Sequence, residues 1–315
     1  MAPARRPGYG ERMLAYTHPA CIEHDTGQGH PEQPARLQVV LEALQRAWPD
    51  QAWQDAPMAM RGDLLRVHAA SLVDEVLAPV TEGLHRMDPD TVVGPASGRA
   101  ALHAAGAGLA AVDAVMAGED LTAFCAVRPP GHHATADAAM GFCLFNNIAV
   151  AAAHARDQHG LERIAIVDFD VHHGNGTQAI FNRDPAVAYF SSHQSGLFPH
   201  TGSVHERGVG NVHNVLLPPG SGGFRFRNTW LDILLPVLDA FRPQLLLVSA
   251  GFDAHLSDPL ADLMLDAEDF AWLTGELRTV AARHAGGRLV SMLEGGYSLD
   301  ALAECAVAHV GALRA

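Results

Sequence analysis

Short apolar runs closed by Gly, Pro or Asp alternate along this chain with longer helical patterns, and few folds accommodate that rhythm. A strand followed by a crossover helix, repeated, predicts one α/β unit around a mainly parallel sheet. The candidate strands are 13–17, 124–128, 164–169, 187–190, 214–217, 245–250 and 288–293. Between them, Leu37, Val40, Leu41 and Leu44 recur at helical spacing, as do Phe270, Leu273, Leu277 and Val280. The Ala-rich stretch from Arg99 to Met116 predicts a helix stopped by Gly118. At 315 residues with 48% apolar content, and with no repeat or linker-like stretch, the chain reads as a single domain over 1–315.

The balance of charge narrows the partners. A net charge of -14, with Arg as the basic residue throughout and no Lys, argues against a groove that follows nucleic-acid phosphates and tolerates a cationic partner. Cys21, Cys125, Cys143 and Cys305 lack CxxC spacing and read as buried free thiols. No apolar signal core follows Arg5 and Arg6, and the sequence reading finds no 18-residue apolar stretch; a cytoplasmic protein without membrane association is the expectation.

The unusual chemistry clusters just after the strands, where open parallel sheets bind ligands. DFDVHHGNGTQ (168–178) closes an apolar strand with two carboxylates and two imidazoles, and SAGFDAH (249–255) brings Asp253 to the end of another. Buried carboxylates need a strong counter-charge, which a cation supplies. An Asp, His, Asp set would leave one position open, the mark of a catalytic rather than structural zinc; the plainer alternative is helix capping and loop hydrogen bonding.

RPPGHHA (128–134) holds His132 and His133 rigidly after a further strand, an arrangement suited to proton transfer. Most of the 19 histidines must be unrelated to catalysis. In LEGGYSL (293–299), Gly295 and Gly296 permit a tight turn that presents Tyr297 as an oxyanion stabiliser, although such a turn is more often structural.

Taken together, RPPGHHA, GFCLFNNIAVAA, VDFDVHHGNGTQ, SAGFDAH with DPL, and LEGGYSL resemble the histone deacetylase superfamily, closest to class II members and their bacterial homologues. The likeness runs from about Tyr16 and HPEQPAR (30–36) to LEGGYSL. It implies the arginase/deacetylase fold with about eight strands and a zinc-dependent amide hydrolase. By motif, Asp170, His172 and Asp253 take the zinc-ligand positions and His132 and His133 the dyad, with Asp168 behind His132 and Asn175 behind His133. Tyr297 would face the polarised carbonyl.

The resemblance also implies an acyl-chain tunnel flanked by Phe142 and Phe198, with Gly141 beside them and Leu260 at the mouth. Relatives that prefer polyamines carry Glu at the Leu260 position. Glu23 and Asp25 of the first loop are the acids that could replace it. A structural potassium ion would use Asp168, Asp170, His172 and the Ser191-Ser192-His193 segment. Arg36 matches an internal Arg near an acetate exit, or serves as a buried salt-bridge partner. The substrate is then an acyl-lysine protein or peptide, or a small acylated amine such as an acetylpolyamine, and an oligomer is compatible with the sequence. A non-catalytic binding module on the same fold would leave His132, His133 and Tyr297 unexplained, and a dinuclear manganese enzyme would need further ligands.

Overall fold

The computed structural model describes residues 13–315, so Arg5 and Arg6 lie outside the described residues. Eight strands form one sheet: β1 (Leu14–Thr17), β2 (Trp53–Asp55), β3 (Thr122–Cys125), β4 (Ile164–Asp168), β5 (Val187–Gln194), β6 (Val212–Leu217), β7 (Leu245–Ala250) and β8 (Leu289–Leu293). Their spatial order is β2-β1-β3-β8-β7-β4-β5-β6, and every neighbouring pair is parallel. The central strands are buried on both faces, which is why their sequences are continuous apolar runs rather than alternating ones.

Two helix groups flank the sheet. Helix α5 (Leu299–Arg314) packs against both α1 (Pro34–Ala47) and α4 (Ala267–His284), and α2 (Ser97–Ala117) packs against α3 (Asn147–His159). Leu37, Val40 and Leu44 are buried and Leu41 half-buried, while Phe270, Leu273, Leu277 and Val280 are all buried. Gly118 ends α2 in the left-handed region at φ +76°, where a side chain would be strained.

Three features correct the sequence reading. β3 ends at Cys125 rather than 128, because Arg128 leaves the sheet to bond Glu32 and the carbonyls of Cys21 (2.9 Å) and His24 (3.1 Å). Edge strand β2 carries no strand signal in the sequence, because its residues are mostly exposed and show no apolar run. Helix α2 is also long and apolar enough by length and composition to cross a membrane. Its Ala and Gly faces are instead packed in the core, with Ala100, Ala104, Ala107 and Ala111 fully buried. The four cysteines are buried and unpaired.

Candidate metal centre and active site

The side chains singled out by sequence come from β3, β8, β7, β4 and β5, which are consecutive in the sheet. Their carboxyl ends therefore open onto one crevice. Asp168 closes β4, and its Oδ1 accepts the N–H of Asp170 at 3.2 Å; Oδ1 of Asp170 in turn accepts the N–H of His172 at 2.9 Å. Asp253, after β7, accepts the Val171 N–H at 2.8 Å. These side-chain-to-backbone bonds wind the loop so that Asp170, His172 and Asp253 converge, all buried, with one ligand atom from each within 4.8 Å of the others. Nδ1 of His172 lies 3.0 Å from Asp170 Oδ1 and 3.2 Å from Asp253 Oδ2.

The approach of other backbone to this cluster is close. A Cβ at Gly295 would stand 2.0 Å from Asp253 Oδ2, and one at Gly251 would stand 2.0 Å from Asp170 Oδ2. Burial and then the Asp170 charge push the Asp253 carboxyl up to about 7. Against the burial that would lower it, the bonds to Asp170 and Asp253 raise His172 to about 10. The cluster thus demands positive charge, and two buried carboxylates with one imidazole fit a divalent ion with an open coordination position.

The His132–His133 turn is held from behind by a residue the sequence reading passed over. Glu294, which follows β8, accepts the N–H groups of Gly131 (2.7 Å) and His132 (3.2 Å) on Oε2, while Ser249 donates to Oε1 at 3.1 Å. The two imidazoles sit with centroids 4.0 Å apart but have unlike partners. His132 Nδ1 is 3.0 Å from Asp168 Oδ2, which also accepts the Tyr189 hydroxyl at 2.9 Å; His133 Nδ1 is 2.8 Å from the amide oxygen of Asn175. Burial opposes a charge on His132, yet the carboxylates of Asp168 and Asp170 raise it well above the ordinary histidine range. For His133, burial and then the charges of His132 and His172 act together and lower it well below that range.

Aromatic groups frame the opening. Phe198 stands edge-on to His133 with centroids 5.1 Å apart, and Phe142 stands edge-on to Tyr297 at 5.8 Å. Gly141 (φ +56°) passes so close to His133 that a Cβ would lie 2.6 Å from the imidazole. The Phe142 N–H donates to Thr91 Oγ1 at 3.1 Å. Asp258 accepts the N–H of Tyr297 at 2.7 Å and that of Leu260 at 3.0 Å, so one carboxylate ties the half-buried Leu260 to the Tyr297 turn. Arg36 lies under the Tyr297 ring, 4.9 Å from its centroid, and is a buried salt-bridge partner: it bonds Glu32 at 3.0 Å and the carbonyls of Gly296 (2.6 Å) and Glu294 (2.5 Å).

Ser191 pairs with Asp168 across β5 and β4, and its hydroxyl lies 2.9 Å from His193 Nδ1; the Ser192 hydroxyl accepts Trp230 Nε1 at 3.1 Å. Exposed Glu23 is engaged by Arg99, and Asp25 accepts the N–H of Gly27 within its own loop. Among the residues the sequence reading passed over, Tyr189 offered no signal, since it sits in an apolar strand like any core aromatic. Glu294 did offer one, a carboxylate directly after a buried run.

The sequence pattern of the Histone deacetylase domain matches residues 30–313. The chain belongs to the histone deacetylase family. It is 43% identical over 297 residues to the Histone deacetylase-like amidohydrolase of Pseudomonas aeruginosa, covering 92% of this chain and 78% of that protein. Identity to the human Polyamine deacetylase HDAC10 is 40% over 293 residues, covering 87% of this chain and 43% of that one. The crystal structure of the HDA15 HD domain superposes with a TM-score of 0.91 at 33% identity, covering 96% of this chain and 88% of that one. This histone deacetylase family member is therefore a deacetylase-type amidohydrolase.

Proposed function

We propose that the chain is a zinc-dependent amide hydrolase that removes an acetyl or similar acyl group from acyl-lysine-like amines. The observation that carries this is the convergence of Asp170, His172 and Asp253 within 4.8 Å of one another, beside two imidazoles with different partners. Zinc held by that set would supply a Lewis acid for the amide carbonyl and lower the pKa of water to ~7. His133, kept neutral by burial and by the charge of His132, is the group that takes and returns the proton. His132, kept charged against Asp168, stabilises developing negative charge. Tyr297, fixed by Asp258 through its N–H, donates its phenol proton toward the carbonyl oxygen. Potassium would lie beside Asp168, using Asp170, His172 and the Ser191–Ser192 backbone.

Phe142 and Phe198 suit an extended alkyl stem, and Leu260 adds an apolar wall worth ~1.5 to 3 kcal/mol when fully covered. An acetylated polyamine carries a second ammonium that Leu260 does not bind, and Glu23, committed to Arg99, does not replace the missing acid. The likeness to a polyamine deacetylase makes the comparison of substrates the decisive experiment. An acetyl-lysine peptide should show a higher kcat/KM than acetylputrescine or acetylspermidine, and Leu260→Glu should narrow the gap. Preference of the unaltered enzyme for acetylpolyamines would reverse the substrate assignment.

A further inference from the structure

A second cluster of metal-ligating groups lies away from the crevice, in the carboxyl-terminal halves of α2 and α3. Nε2 of His154 and Nε2 of His159 both lie 2.7 Å from Oδ1 of Asp113, and the three ligand atoms fall within 4.8 Å of one another. His154 is buried, and its Nδ1 has no hydrogen-bond partner among the described residues, so its one polar commitment points into this cluster. The two imidazoles meet edge-on with centroids 5.8 Å apart, which leaves both Nε2 atoms facing the carboxylate rather than stacked away from it.

The location favours a cation. Asp113 is near the last turn of α2 and His159 is the last residue of α3, and each helix closes on a left-handed Gly, Gly118 and Gly160. Helix carboxyl ends carry partial negative charge that attracts positive ions. Two imidazoles and one carboxylate are a donor set for borderline transition ions such as zinc rather than for magnesium or calcium.

We propose that Asp113, His154 and His159 form a second zinc site that pins the carboxyl-terminal halves of α2 and α3 together. The cluster lies roughly 10 to 20 Å along α3 from its amino end at 1.5 Å per residue. At that end Asn146 and Asn147 bond the carbonyls of His132 (3.4 Å) and Pro129 (3.1 Å). The site is therefore structural, separate from turnover, and independent of the catalytic assignment.

The test is elemental analysis of the tag-free full chain equilibrated with zinc buffered at micromolar free concentration, paired with thermal unfolding. His159→Gln, a change at a half-buried helix end, should lower zinc content by one ion per chain while leaving deacetylase activity unchanged. In an Asp253→Ala background, zinc should still raise the unfolding temperature, and that rise should vanish when His159→Gln is added. Equal zinc content in the wild type and His159→Gln overturns the proposal and leaves the cluster a hydrogen-bonded ion pair. Loss of activity in His159→Gln would show that the site is not separate.

Discussion

Nδ1 of His132 lies 3.0 Å from Oδ2 of the buried Asp168, whereas its neighbour His133 meets only a neutral amide oxygen, that of Asn175. Burial and then the His132 charge lower His133 while carboxylates raise His132 against burial, the asymmetry that the proposed division between holding charge and moving a proton requires. His133→Ala is expected to lower kcat by ~10² to 10⁴, the range for loss of general acid–base catalysis, and His132→Ala to cost less. Paired kinetics at matched zinc occupancy check this, and the reverse order would exchange the roles.

Tyr297→Phe keeps the backbone bond to Asp258 and the contact with Arg36, so fold and metal content should be preserved. Loss of one oxyanion donor is expected to reduce kcat on the order of a hundredfold with a smaller change in KM. An unaltered kcat would remove the phenol from the mechanism.

Asp253→Ala removes one of three ligand atoms and leaves Asp170 and His172 facing each other across the gap. Turnover should be lost together with one bound divalent ion per chain, and chelation of the wild type should have the same effect on activity. Wild-type turnover by the variant, or by metal-free protein, would disprove the ligand assignment.

Glu32 links stability to pH. Burial alone would raise its carboxyl, but Arg128 and then Arg36 outweigh that and hold it at about 2, against 4.5 ordinarily. A depressed carboxyl contributes stability that is present above pH 4.5 and lost as pH falls toward 2, here about 3 kcal/mol. Buried His24, lowered by burial to about 4, adds a loss beginning nearer pH 6.5, because the unfolded chain takes up a proton the native one refuses. Glu32→Gln leaves Arg36 and Arg128 buried without their counter-charge and should cost ~3 to 5 kcal/mol in urea unfolding at pH 7. Its stability should also vary less than the wild type's below pH 4.5. A variant as stable as the wild type would show that the ion cluster contributes nothing.

The order of strands and helices, the parallel sheet and the crevice at its carboxyl edge were legible in the sequence, because each depends on local periodicity and on where polar residues interrupt apolar runs. So was the grouping of Asp170, His172 and Asp253, carboxylates and an imidazole that follow two buried apolar runs and converge in the fold. Local pattern did not mark β2, whose short edge segment buries little, and it did not separate α2 from a membrane-spanning helix by composition. Only the packing of the chain decided that Glu294 would hold the His132 turn, that Tyr189 would share Asp168, and that Asp258 would join Leu260 to Tyr297. Glu294 and His132 lie 162 positions apart, Asp258 and Tyr297 39, and Tyr189 and Asp168 21, and sequence spacing carries no record of contacts that arise when distant strand ends are brought to one edge of a sheet.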